Sequence, residues 1–316
     1  TKKIGINIDM SISALEKSKA VSNLASVLNR LIKQRNKSAE ENACLLATVK
    51  ALRDFSYFKK CCQELLNLAV MDNLMSLFEE LNFKDPLMYA SVACIWNLIE
   101  MNPDARVVTV NFHAIKSVMA LLCKLLYFGH RKRDKELRND VLVISSYFAS
   151  YGENHKYFLE TDFVKLLARF AFHTELDKQN DVPKFVLTSS KEDFEMKLLM
   201  WHIIFTLTYD DRCLKALQYE GLVKVLLKYL SPTDFIENDL IMKYNSDPDQ
   251  IKTLQIRALD MLFVIIAKLP SVFDQEAYET ILNFTLSQNQ NQALEPHLNI
   301  QEQKDSIEAL RKGSMR

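Results

Sequence analysis

Two interleaved series of apolar helical blocks restrict what this sequence can fold into more than any other feature. One series is centred near Ala47, Ile95, Ile144, Ile203 and Val264, at steps of roughly 47 to 60 residues. A member of the second series precedes each of these, at 24–32, 71–81, 118–128, 163–172 and 222–230. The stretch 136–149 shows what each block demands. Leu137, Val141, Ile144 and Phe148 fall on one face of an α-helix, which Val143 and Tyr147 widen. Leu142 and Ala149 add apolar surface on another side, so Asn139 and Ser146 mark the narrow stripe left for solvent or a partner. A helix this widely apolar has to be packed on several sides by other helices. Strictly alternating pairs meet that need by stacking one pair on the next.

The step lengths are close to the ~40–47 residues of armadillo and HEAT units with insertions added. We therefore expect an all-α, armadillo/HEAT-like α-solenoid of about five helical repeats, continuous over 1–287. Polar insertions are expected near 174–190 and 231–249, the second longer and more mobile. A Gln/Asn-rich segment at 288–316 is expected to be partly ordered. Composition agrees with the fold. Five glycines and seven prolines in 316 residues are about a third of ordinary usage, too few for the tight turns of a strand-rich protein. Forty basic and forty acidic side chains cancel, leaving no overall field to recruit nucleic acid or an anionic membrane. The six cysteines lie mostly inside apolar helical runs without framework spacing, which reads as reduced thiols. No apolar run reaches the ~18 residues of a membrane span, and no signal peptide opens the chain. The chain begins at Thr1, so it is expected to be a piece of a longer protein.

Helix-end signals fall where the blocks require them. Asp85-Pro86 reads as cap and first residue of the helix over 87–100, and Asn102-Pro103 ends it. Gly129 follows the block 118–128 as a terminating residue. Gly221 marks a tight corner before 222–230. Ser189 or Ser190, followed by Glu192 and Asp193, opens the helix over 194–207.

Nothing in the sequence assembles a catalytic, metal or cofactor site. The six histidines are scattered, and no metal-ligand spacing, phosphate loop or Gly-rich turn occurs. Cys61-Cys62 is the one adjacent thiol pair. Lys59-Lys60 beside it could activate a thiol, but two buried helix thiols fit the apolar context better. The densest basic run is 130–138, His-Arg-Lys-Arg-Asp-Lys-Glu-Leu-Arg. It reads either as a contact for an acidic partner or as a solvated corner diluted by Asp134 and Glu136. Its Arg131, Lys132, Arg133 and Arg138, with Asn139, are the partner-binding candidates, and the two insertions are further contact candidates. Trp96-Asn97 invites comparison with the groove-lining Trp and Asn of peptide-binding armadillo repeats. There the Asn follows one turn after the Trp; adjacent residues lie about 100° apart and cannot share one ladder. A packed Trp beside a hydrogen-bonded Asn is the better fit.

Four stretches, in order, carry a resemblance: Ile95-Trp-Asn-Leu-Ile-Glu100, Glu136-Leu-Arg-Asn-Asp-Val-Leu-Val-Ile144, Lys191-Glu-Asp-Phe-Glu-Met-Lys-Leu-Leu199 and Gly221-Leu-Val-Lys-Val-Leu-Leu-Lys-Tyr229. Together they resemble the middle of the cilia- and flagella-associated protein 69 family, over about 95–230. The resemblance implies a non-enzymatic armadillo scaffold in the axoneme of motile cilia and flagella, in the C1b projection of the central apparatus. It implies other C1-projection proteins as partners, the central-pair microtubule indirectly, within a large multi-protein assembly. It offers no catalytic residues. The residues themselves also allow a soluble armadillo adaptor that holds a peptide or helix in its concave groove.

Overall fold

The computed structural model describes residues 19–34, 36–101, 111–176, 182–183, 188, 190–231 and 248–291. Among them every regular element is a helix and there is no strand. The chain divides into two compact units, Thr1–Thr161 and Asp162–Arg316, where the sequence suggests one continuous array.

The first unit contains α1 (Ala20–Ile32), α2 (Ala39–Phe55), α3 (Lys59–Asn67), α4 (Val70–Glu80), α5 (Pro86–Met101), α6 (Phe112–Phe128), α7 (Lys132–Ala149) and α8 (His155–Glu160). It is built in two layers. The members of one sequence series, α1, α4 and α6, pack side by side, and the members of the other, α2, α5 and α7, form the second layer against them. Each helix of a series touches its own pair partner and the next member of its layer. That arrangement explains why 136–149 is apolar on more than one side: α7 packs on both α5 and α6. Leu137, Val141, Leu142, Ile144, Phe148 and Ala149 are all buried there. Each large side chain contributes about 1.5–3 kcal/mol relative to an exposed one.

The second unit contains α9 (Phe163–Ala171), α10 (Lys191–Leu207), α11 (Asp211–Tyr219), α12 (Leu222–Leu230), α13 (Pro248–Lys268) and α14 (Gln275–Asn291). Here α9 packs on α10 and α11, and α12 packs on α11, α13 and α14. Trp201 of α10 is buried, with Phe172 and Tyr229 rings at 5.3 and 5.6 Å. No helix of the described residues is long and apolar enough to cross a membrane.

The short helices α3, α8 and α11 are a feature the two-series pattern does not anticipate. Each precedes a member of the first layer type, giving three-helix units. The junction between the first and second helix of a unit has its own backbone signature. Lys19, Ala69, Asp162 and Gly221 are the described residues with positive φ, and each is the N-cap of α1, α4, α9 or α12. Gly221, at φ 95°, supplies that left-handed turn without a Cβ penalty; the other three positions bear one. A second signature closes the long helices. Ser56, Ser150 and Thr208 cap α2, α7 and α10, and each hydroxyl donates to the carbonyl three residues back at 2.6 Å. A tyrosine follows every time: Tyr57, Tyr151 and Tyr209.

Of the expected helix signals, Asp85 accepts from the Leu87 amide at 2.8 Å and Pro86 opens α5. Ser190 is the N-cap of α10 and accepts from the Asp193 amide. Helix α5 ends at Met101, with Asn102-Pro103 outside the described residues. Gly129 terminates α6 in an extended rather than left-handed conformation. A Cβ there would stand 2.7 Å from the Leu125 carbonyl oxygen and 3.1 Å from Asp134 Cβ, so close approach is what requires glycine. The insertion expected at 174–190 is not a solvated loop at its start, because Glu175 is fully buried. Most of both insertions, and residues 292–316, lie outside the described residues.

Candidate protein-interaction site

The corner between α6 and α7 holds the sequence-predicted contact residues, and the structure divides them. Arg131, Lys132 and Arg133 are exposed. Arg138 and Asn139 are not: they are 0% and 4% exposed, and Arg138 Nε donates to Asn139 Oδ1 at 3.1 Å. This corrects the expectation that both reach a partner. Helix α7 is packed by α5 and α6 together, so one side of its polar N-terminal half is enclosed along with its apolar half. Lys135 is buried as well. Conversely Val143 and Tyr147, expected on the core face, are only half-buried.

Asp134 organises the exposed three. Its carboxylate is fully buried and accepts from Arg131 Nε at 2.9 Å and Nη2 at 2.7 Å, a bidentate pair. The Arg131 amide donates to the same carboxylate at 3.2 Å, and the Tyr89 hydroxyl of α5 at 3.3 Å. Burial alone would raise the Asp134 carboxyl. The hydrogen bonds from the Arg131 side chain and backbone outweigh it and hold the group below the usual carboxylate range. The Arg133 guanidinium lies over the Tyr89 ring, 4.1 Å from its centroid. Lys132 projects with 76% of its side chain exposed and Glu136 at 3.9 Å, a distance at which a surface pair contributes little. Phe128, the last residue of α6, is 65% exposed beside them.

The remaining candidates are structural. Asn97 donates to Ser56 Oγ at 3.0 Å, tying α5 to the end of α2, and Trp96 is half-buried. Cys61 and Cys62 are buried, and burial, with Cys61 alongside, pushes the Cys62 thiol up to about 11. A thiol so placed is protonated at neutral pH and lacks the thiolate a redox role needs. The second unit has a polar cluster that sequence reasoning missed. Glu175 accepts from Lys197 Nζ at 2.5 Å and from the Tyr229 hydroxyl, with both ionic side chains buried. Lys197 also donates to the Ala171 carbonyl at 3.1 Å, and Lys228 to the Glu175 carbonyl. The available signal was Lys197 itself, a cation on the stripe that continues through Met200, Trp201 and Ile204.

The chain is similar to the cilia- and flagella-associated protein 69 of several mammals. The Papio anubis protein is 30% identical over 188 residues, covering 58% of this chain and 19% of that protein. The Homo sapiens protein is 33% identical over 136 residues, 41% of this chain and 14% of that protein. The Mus musculus protein is 28% identical over 188 residues, 58% of this chain and 19% of that protein. Each match therefore spans less than a fifth of the relative's own length. The family model described as "Cilia- and flagella-associated protein 69, ARM repeat" matches residues 8–284. Stacked helix pairs with short third helices are what such repeats require, and the match covers nearly all of them. On both grounds the chain belongs to the armadillo-repeat region of the cilia- and flagella-associated protein 69 family.

Proposed function

We propose that this chain is a non-enzymatic scaffold segment of the motile-cilium axoneme. It sits in the C1b projection of the central apparatus, organises neighbouring projection proteins and so supports ciliary and flagellar motility. Membership of a cilium- and flagellum-associated armadillo family carries the reading. Its partners are other C1-projection proteins, and it meets the central-pair microtubule indirectly. The polar groups of the long helices support a scaffold over a peptide-groove adaptor. A groove that holds extended peptides needs a repeated, exposed Asn or Arg ladder, whereas here Asn97 is engaged by Ser56 and Asn139 and Arg138 are buried. Arg131, Lys132 and Arg133 are the contact residues we assign to the scaffold.

The test is extraction. The tagged full-length protein in a ciliated cell should stay with axonemes through detergent and salt, and should be lost from axonemes that lack the central pair. Reversing Lys132 and Arg133 to Glu, which spares the Arg131–Asp134 pair, should release it while its circular dichroism stays helical. Full solubility of the unaltered protein would instead favour the groove-binding adaptor.

A further inference from the structure

We infer that the α6–α7 corner is a docking site for an acidic peptide segment, with the Arg133 guanidinium as its carboxylate receptor. This rests on the scaffold reading and names the chemistry of one partner. The sequence alone argues against such a site, because Asp134 and Glu136 dilute the basic run. The structure removes half of that objection by burying Asp134 beneath the surface and closing its carboxylate with Arg131 and Tyr89. A partner arriving at this corner meets Arg133, Lys132 and the outer part of Arg131, with Glu136 the one exposed carboxylate among residues 131–138.

Arg133 is built as a receptor. Its Cζ lies over the Tyr89 ring, 4.1 Å from the centroid, and among the described residues no hydrogen bond or ion pair takes its N–H donors. The cation–π contact holds the guanidinium at the ring and leaves its N–H donors for a bidentate carboxylate. Tyr89 is itself held by its hydrogen bond to Asp134, and Asp134 by Arg131. The chain Arg131–Asp134–Tyr89–Arg133 therefore pre-orders a side chain that would otherwise lose rotamer freedom on binding. Lys132, 3.9 Å from Glu136, adds a second exposed charge. Phe128 offers an exposed ring on the same corner, suited to an apolar residue within the acidic segment.

The probe is a fluorescein-labelled peptide of eight glutamates flanking a leucine, with a glutamine-for-glutamate control, titrated into the whole chain by fluorescence anisotropy. The acidic peptide should bind more tightly than the glutamine peptide and weaken steeply with added salt. Arg133→Gln should lower affinity about tenfold, as loss of one charge-assisted pair predicts. Tyr89→Leu, which keeps every cation, should weaken binding several-fold, and Tyr89→Phe should retain most of it by preserving the ring. Equal binding of the two peptides, or no effect of Arg133→Gln in a folded variant, overturns the site. So does a phosphoserine peptide that binds tenfold more tightly than the glutamate one, which makes the receptor one for phosphate. If peptide binding fails while the double Glu reversal of Lys132 and Arg133 still releases the protein from axonemes, the carboxylate site falls and the scaffold reading stands.

Discussion

Removing Lys197 tests the buried ionic cluster of the second unit most directly. Lys197 and Glu175 have side chains 4% and 0% exposed and stand 2.5 Å apart. In Lys197→Met the alkyl stem is retained and the charge lost. Glu175 then keeps the Tyr229 hydroxyl but no cation at its carboxylate, and the Ala171 carbonyl loses its donor. Breaking one side of a buried pair costs about 3–5 kcal/mol, because the surviving charge stays buried and uncompensated. For a unit of this size each kcal/mol lowers the midpoint by about 2–4 °C, so a loss of roughly 10 °C is expected. Replacing both partners, Glu175→Leu with Lys197→Met, leaves no charge to bury and should recover most of that loss. The assay is urea and thermal unfolding followed by circular dichroism at 222 nm, with the transition of the second unit assigned through Trp201 fluorescence in a Trp96→Phe background. A loss below 1 kcal/mol for Lys197→Met, or a double variant as weak as the sum of the singles, refutes the reasoning. Either result means the pair is solvated or dispensable.

Three further perturbations follow from the helix N-caps. Ala69 is exposed and held at φ 54°, so Ala69→Gly relieves about 1–2 kcal/mol of left-handed strain against roughly 0.5–1 kcal/mol of added chain entropy. A small gain in urea midpoint is expected, and a smaller one for Asp162→Gly, since Asp tolerates this region better. Asp210 accepts from the Arg212 and Cys213 amides and from the Arg212 side chain. Burial opposes its ionisation, but these bonds win and its carboxyl falls to about 2. A depressed folded value means the stabilisation is present above pH ~4 and is lost as pH falls towards 2. Asp210→Asn keeps an acceptor for the cap and removes the charge. Its deficit relative to the parent should approach 2 kcal/mol at pH 6 and shrink through that window; a pH-independent deficit would count against the assignment.

The alternating blocks made the two layers legible, because a helix flanked by two neighbours must be apolar on two sides. The three-helix unit was not legible. Helix α3 is Lys-Lys-Cys-Cys-Gln-Glu-Leu-Leu-Asn and α11 is Asp-Arg-Cys-Leu-Lys-Ala-Leu-Gln-Tyr. Each buries only about one residue per turn, which leaves a period too short to register. The left-handed junctions were half legible. Gly221 announced its corner, while Ala69 and Lys19 take the same conformation under tertiary pressure with no residue type to signal it. At the candidate site the basic run was visible but its partition was not. Charge content tells how many cations a corner holds, and burial is decided by neighbouring helices far away in sequence.

An internal repeat explains that partition. Lys132-Arg-Asp-Lys-Glu-Leu-Arg138 at the start of α7 and Lys191-Glu-Asp-Phe-Glu-Met-Lys197 at the start of α10 share Lys, Asp, Glu, an apolar residue and a cation in register. Both aspartates are buried, Asp134 and Asp193, and so are both cations one turn later, Arg138 and Lys197. Each aspartate fastens the corner that enters its helix: Asp134 holds the Arg131 amide and side chain, and Asp193 holds the Thr188 amide and hydroxyl. A pattern placed twice in the interior of a helical repeat is a corner brace, since a contact for a partner has to stay outside. Two positions depart from the shared pattern: Lys135, where its counterpart is Phe194, is buried, and Arg133, where its counterpart is Glu192, is exposed. The exposed Phe128 precedes the brace at this corner. On the proposed docking site, Arg133 and Phe128 are what the α6–α7 corner adds to the repeat for recognition, and the buried Asp134 and Arg138 are what it shares for stability.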